Sequence, residues 1–359
     1  MRPDLGSREA LLYSVAMSDV LHLGIVGAGA WGTALACAAR RAGSDVLIWA
    51  HEADTVTAVN AEHENPVFLP GITLDPAIAA TTDLSALGAC DAILLVAPSA
   101  HLRRVCEGLA GQVDHAIPVC VCTKGIELAS GKLMTAVAGE AMGRADIVGL
   151  SGPSFAAEVA AGLPTAVTVA GAGDATGVIS AALSGPTFRI YRSDDVTGIE
   201  IGGAVKNVIA IACGMAMGRG LGNNARAAVI SRGLAEMARL GEVLGARRET
   251  LMGLSGLGDL VLTCTGDLSR NFTFGKGLGQ GRTIAELMAG RTSVVEGAVT
   301  APAVTTLAQR VGVEMPIASA IHDVIAGHES LDQAIERLLA RPAGNEFDPK
   351  FHQTYVKQE

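Results

Sequence analysis

Three groups of residues in this chain stand where their types and spacing could do chemistry. The first is Gly27-Ala28-Gly29-Ala30-Trp31-Gly32. An apolar stretch at 21–26 leads into it and helix-forming residues at 33–42 follow. In that context Gly27 permits a tight turn, Gly29 lets backbone approach a pyrophosphate, and Gly32 lets helix and strand pack closely. The helix N-terminus then offers unpaired N–H groups and positive dipole to phosphates. The second group is charge set among apolar residues: Lys124 in Thr123-Lys124-Gly125, Lys206 with Asn207 inside a long apolar run, and Asp259 after Gly256-Leu257-Gly258. Charge in such surroundings needs a partner or a task. The third is Ser269-Arg270-Asn271, a planar cation with hydroxyl and amide neighbours, suited to phosphate. Taken singly, Lys124 and Arg270 also read as ordinary loop residues, and Lys206 as a side chain that snorkels from its helix.

The elements that must position these groups alternate at first. Strand signals fall at 21–26, 45–49, 77–81, 91–97, 118–122, 147–150, 165–170 and 188–191, with helical spacing at 33–42 and 101–109 and a stop at Gly43. The run at 91–97 (DAILLVA) is almost wholly apolar, as a strand covered on both faces should be. This succession predicts a doubly wound, largely parallel sheet. Near residue 195 the pattern changes to helices, at 196–217, 225–244, 299–310 and 332–339. The organisation expected is an extension at 1–17 that reads as disordered (Met17 is an alternative start), a dinucleotide-binding domain at 18–200, a helical domain at 201–343 and a tail at 344–359. The second strand ends near His51-Glu52, where an adenosine ribose would lie. Glu52 could accept from a ribose hydroxyl, as in NAD sites; His51, with Arg40 and Arg41 nearby, could meet a 2′-phosphate, as in NADP sites.

Composition narrows the classes. The 359 residues carry 27 Lys+Arg against 36 Asp+Glu, a net charge of −9, which argues against a nucleic-acid binder. With 49% hydrophobic and 18% charged residues the chain is not of the disordered class. The seven cysteines lack zinc spacing, and the eight histidines form no ligand cluster, so no metal is expected. Thiols in apolar runs read as buried and reduced, in a cytoplasmic protein. The segment 201–218 is apolar enough to resemble a membrane span, but Lys206 near its centre would cost at least ~2.5 kcal/mol in lipid, so a buried helix is the expectation and no integral membrane segment.

Longer motifs go further. GAGAWGTALA at 27–36, TKG at 123–125, SGPSFAAEVAAGLPTAV at 151–167, GGAVKNVIAI at 202–211, NARAAVISRGLAEM at 224–237, GLGDLVLTCT at 256–265, SRN at 269–271 and VVEG at 294–297 together resemble the NAD(P)-dependent glycerol-3-phosphate dehydrogenases of bacterial type. The resemblance implies a Rossmann-type doubly wound α/β sheet plus a C-terminal all-helical domain, as in 6-phosphogluconate dehydrogenases. It implies reduction of dihydroxyacetone phosphate to sn-glycerol 3-phosphate with NADP or NAD, NADPH favoured, for glycerophospholipid synthesis, by a homodimer. It makes Lys206 the proton donor/acceptor, Lys124 a contact to cofactor and substrate, and Asp259 and Thr263 their partners. Gly152, Ser154, Ser269, Arg270 and Asn271 match substrate contacts. Gly27, Gly29, Ala30, Trp31, Gly32, Ala156, Arg270, Val294 and Glu296 match cofactor contacts, alongside His51; Trp31 stands where members often carry Tyr or Phe.

The residue types suit that reaction. Hydride delivery to a ketone builds negative charge on its oxygen, which ammonium groups stabilise. One of them must then give up a proton. Arg270 would fix the phosphate end and so the ketone's position. Other dehydrogenases of this architecture act on 6-phosphogluconate, hydroxyacids or ketopantoate; SRN and GLGD favour the glycerol phosphate enzymes.

Overall fold

In the computed structural model of the chain, residues 20–289 and 294–342 are described. The readings of 1–17 as a disordered extension, of Met17 as a start and of 344–359 as a tail lie outside them. The described residues fall into two compact units, residues 20–124 with 133–196, and residues 125–132 with 197–342. The short segment Gly125–Lys132 thus groups with the second unit rather than with its neighbours in sequence. There the Arg310 guanidinium donates to the Ser130 carbonyl at 3.0 Å.

The first unit is built on strands β1 (His22–Val26), β2 (Asp45–Trp49), β5 (Ile78–Thr81), β6 (Ala92–Leu95), β7 (Val119–Val121), β8 (Val148–Ser151), β9 (Thr165–Ala170) and β10 (Phe188–Ser193). They form one sheet in the order β10-β9-β8-β7-β6-β1-β2-β5. A separate antiparallel hairpin joins β3 (Glu64–Asn65) to β4 (Leu69–Thr73). Pairing in the large sheet is parallel except between β8 and β9, so β9 and β10 run against the rest. Helices α1 (Ala30–Ala42), α2 (Ala53–Thr57), α3 (Leu102–Leu109), α4 (Met134–Met142), α5 (Ala156–Ala160) and α6 (Ala175–Leu183) connect the strands.

The apolar strands are explained by their two faces. In β6, Ala92 and Leu94 enter one core with Leu23 and Ile25 of β1, whereas Ile93 and Leu95 enter a second core with Leu102 and Cys106 of α3. Cys120 of β7 joins the first core while Val119 and Val121 join the second. From β1 the chain steps outward to β2 and β5, then returns to the other side of β1 as β6. That reversal opens a crevice at the C-terminal ends of β1 and β6, where open α/β sheets bind ligands.

The second unit consists of α7 (Val196–Gly218), α8 (Gly222–Val243), α9 (Arg248–Leu251), α10 (Asp259–Thr265), α11 (Arg270–Gly279), α12 (Ile284–Met288), α13 (Glu296–Arg310), α14 (Pro316–Ala326) and α15 (Leu331–Leu339). Helix α7 is long and apolar enough to cross a membrane, yet every residue from Gly198 to Ala216 is buried within the protein. It packs through glycine. A Cβ on Gly214 would stand 2.1 Å from the Phe272 carbonyl oxygen, and one on Gly275 of α11 would stand 2.1 Å from that of Ile211.

Candidate active site

The glycine loop leaves β1 with the Gly27 N–H on the Trp49 carbonyl at 2.9 Å. Gly27 has φ +119°, and a Cβ there would sit 3.1 Å from the Val96 carbonyl at the end of β6. A Cβ on Gly32 would lie 1.9 Å from the Gly27 oxygen, whereas one on Gly29 would meet nothing within 4 Å. Two of the three glycines are therefore required by packing, and the middle one leaves the open space a diphosphate needs. The first turn of α1 carries no acidic residue, which keeps the positive end of its dipole uncompensated. Trp31 packs against the sheet's core, and its buried indole nitrogen has no partner among the described residues.

At the end of β2, His51 and Glu52 are both exposed. Arg40 and Arg41 do not stand with them. They lie in the last turn of α1, about 15 Å along the helix axis from its N-terminus. Arg40 bonds Asp45 at 2.6 Å and Asp75 at 3.3 Å, and Arg41 donates to the Ala160 and Val159 carbonyls. The expectation that they accompany His51 is corrected: helical rise carries them to the opposite end of the sheet, where other groups engage them.

Beside β7 and β8 the TKG and SGPS motifs meet. The Thr123 hydroxyl donates to the Ala97 carbonyl at 2.6 Å and fixes the chain as it leaves β7. Lys124 Nζ then donates to the Gly152 carbonyl at 3.2 Å, and Ser154 Oγ donates to the same oxygen at 3.1 Å. Gly152 has φ +146° and no room for a Cβ, which would lie 2.9 Å from Val167 Cα. Ala156 opens α5 two residues beyond Ser154.

In the second unit, Lys206 of α7 reaches α10. Its Nζ lies 2.5 Å from Asp259 Oδ1 and 2.9 Å from Thr263 Oγ1. The Thr263 hydroxyl in turn donates to the Asp259 carbonyl at 2.6 Å. All three are buried, Asp259 to 1% exposure. A single π turn, Leu254–Gly258, immediately precedes Asp259. It closes tightly, since a Cβ on Gly256 would stand 1.9 Å from the Leu251 oxygen. Such turns often mark functional sites, and here one sets the register from which Asp259 faces Lys206.

Of the other predicted residues of this unit, Asn271 is held in a chain of amides. Asn271 Nδ2 donates to Asn207 Oδ1 at 2.9 Å, and the Gly297 N–H donates to Asn271 Oδ1 at 2.9 Å. This buried chain ties the starts of α11 and α13 to α7 beside Lys206. Ser269 caps α11, its oxygen accepting from Phe272 N at 3.2 Å, which places Arg270 exposed at the first helical position. Val294 is exposed, and Glu296 begins α13. Sequence reasoning missed two positioning groups. One is this amide chain: the resemblance gives Asn271 to the substrate, and Asn207 stands out in the sequence only as the neighbour of Lys206. The other is Asn65 of the hairpin, which bonds to the glycine loop.

Residues 22–176 match the family model for the N-terminus of NAD-dependent glycerol-3-phosphate dehydrogenase, and residues 195–336 match that for its C-terminus. A glycerol-3-phosphate dehydrogenase [NAD(P)+] of Maricaulis maris is 54% identical over 327 residues, 91% of this chain and 98% of that one. Its counterpart in Caulobacter vibrioides is 54% identical over 321 residues, 89% of this chain and 97% of that one. The crystal structure of glycerol-3-phosphate dehydrogenase from Coxiella burnetii superposes with a TM-score of 0.86 at 40% identity, covering 90% of this chain and 99% of that one. By its motifs, its fold and these likenesses, the chain belongs to the NAD-dependent glycerol-3-phosphate dehydrogenase family.

Proposed function

We propose that this protein reversibly reduces dihydroxyacetone phosphate to sn-glycerol 3-phosphate, using NADPH or NADH. The observation that carries the proposal is the buried Lys206–Asp259–Thr263 cluster, an ammonium held by two acceptors at 2.5 and 2.9 Å. When bound, the reduced nicotinamide supplies a hydride. The chain's own residues do the rest. The glycine loop and the first turn of α1 hold the pyrophosphate, and Gly29 is the position whose open space fits it. His51 and Glu52 are the residues offered to the adenosine ribose, with Ala156, Val294 and Glu296 as further cofactor contacts. Lys206 gives its proton to the ketone oxygen and takes it back in the reverse direction. Asp259 and Thr263 fix the direction in which the ammonium points, and the carboxylate keeps it charged until transfer. Lys124, Gly152 and Ser154 are assigned to substrate, Lys124 to cofactor as well. Arg270 takes the phosphate dianion through its planar fork, with Ser269 and Asn271 beside it.

The same reading gives the product to glycerophospholipid synthesis and places the enzyme in the cytoplasm, a location supported by seven buried free thiols. It also carries a homodimer, which rests on the family resemblance. The deciding experiment is steady-state kinetics with dihydroxyacetone phosphate and with ketopantoate, each against NADH and NADPH. Saturable oxidation with the phosphorylated ketone alone is the expected result. Cofactor binding without oxidation of either would overturn the assignment in favour of a nucleotide sensor.

A further inference from the structure

We propose that Asn65 is a positioning residue for the glycine loop, aiming the Gly29 N–H at the cofactor's pyrophosphate by holding the Ala28 carbonyl. The inference rests on the reading of that loop as the dinucleotide site. Asn65 is only 1% exposed and comes from β3, outside the main sheet. Its Nδ2 donates to the Ala28 carbonyl at 2.8 Å and to Thr33 Oγ1 at 2.8 Å, and its Oδ1 accepts from Phe68 N at 3.3 Å. The Thr33 hydroxyl passes the bond on to the same Ala28 oxygen at 3.3 Å. Each Asn65 amide atom has a partner of the correct kind, which fixes the amide's orientation as well as its place.

The consequence follows from the planarity of one peptide group. The Ala28 carbonyl and the Gly29 N–H belong to the same trans unit and point in opposite directions. Holding the oxygen toward Asn65 and Thr33 therefore turns the N–H the other way. Without such a clamp, a peptide with glycine on its C-terminal side can rotate at little cost. The donor set for phosphate would then be averaged over orientations, and ordering it would be charged against binding. Asn65 meets that ordering cost in the fold.

Asn65→Leu keeps the branching at Cγ, introduces no charge, and removes both N–H donors together with the acceptor. The expected result is NADH and NADPH binding weaker by about tenfold, measured by calorimetry. At saturating cofactor, the KM for dihydroxyacetone phosphate should stay within about twofold, a split that general loosening of the fold would not produce. The unfolding midpoint of cofactor-free protein records any structural cost separately. If Asn65→Leu does not yield folded protein, Thr33→Val removes one donor to Ala28 and the acceptor for Asn65, and about a threefold loss is expected in the same assay. A folded variant that binds both nucleotides like the wild type overturns the role of Asn65. Wild-type protein that binds neither nucleotide overturns the cofactor reading on which it rests.

Discussion

Lys206 and Asp259 form an ion pair that water scarcely reaches, and burial decides what each substitution would do. Removing one partner of a buried pair leaves an uncompensated charge, at about 3–5 kcal/mol. Lys206→Ala should therefore unfold at a lower temperature as well as lose turnover. The two effects separate in cofactor titrations of the folded protein. The kcat should fall by at least about a hundredfold while the Kd for NADPH stays within about twofold; near-normal turnover would remove Lys206 from the chemistry. Glu236 is a buried carboxyl of a different kind. It accepts from Ile317 N at 2.7 Å and Ala318 N at 3.2 Å at the start of α14. Burial raises its pKa to about 7, against those two hydrogen bonds and the Arg239 guanidinium, which favour the charged form. A folded pKa above the unfolded value means that stability is greatest at acid pH and is lost as pH rises toward about 7. The contribution is on the order of 3 kcal/mol. Chemical denaturation from pH 5 to 8 should show that decline, and in Glu236→Gln it should be shallower. An unchanged slope in the variant would exclude Glu236 as its source.

Helices α7 and α11 are where glycine content becomes geometry. Gly214 and Gly218 of α7 meet Gly275 and Gly279 of α11, each at a distance that excludes a methyl group. This close approach is what lets Asn207 and Asn271 share a hydrogen bond, and α11 begins with Arg270. Gly275→Ala should push the helices apart at a cost of about 2 kcal/mol, read as a lower unfolding midpoint. It should also raise the KM for dihydroxyacetone phosphate more than it lowers kcat, because Arg270 moves with its helix. The same glycines explain why α11 escaped the sequence reading. Three of its ten residues, Gly275, Gly277 and Gly279, are poor helix formers, and only tertiary contact makes that segment helical. Helix α10 lay hidden behind the π turn, and the hairpin behind Pro66 and Pro70, which interrupt strand alternation. By contrast β2 and β9 stand at the residues their apolar pattern marks, and Gly43 stops α1 in the left-handed conformation.

At the scale of the whole molecule, two-sided burial made the strands legible, since covered strands need unbroken apolar runs. The glycine loop was legible because its spacing serves one geometry. Lys206, Asp259 and Thr263 were legible from local spacing only as types; the family resemblance alone paired them, because 53 residues separate the lysine from its carboxylate. Asn65 was invisible because an asparagine before proline reads as a turn. The cysteines have one further consequence. Cys37, Cys90, Cys106, Cys120, Cys122, Cys213 and Cys264 are all buried, and burial pushes the thiols of Cys90 and Cys106 up to about 11 and about 12. Each is thus a clock that starts only when its surroundings open. Five stand in the first unit and two in the second, so alkylation followed by mass spectrometry of the peptides would time the opening of each unit separately. Thiols of one unit should be modified together and slowly in native buffer, and faster as denaturant is added. Immediate labelling of a single cysteine would reveal a local opening that its burial does not show.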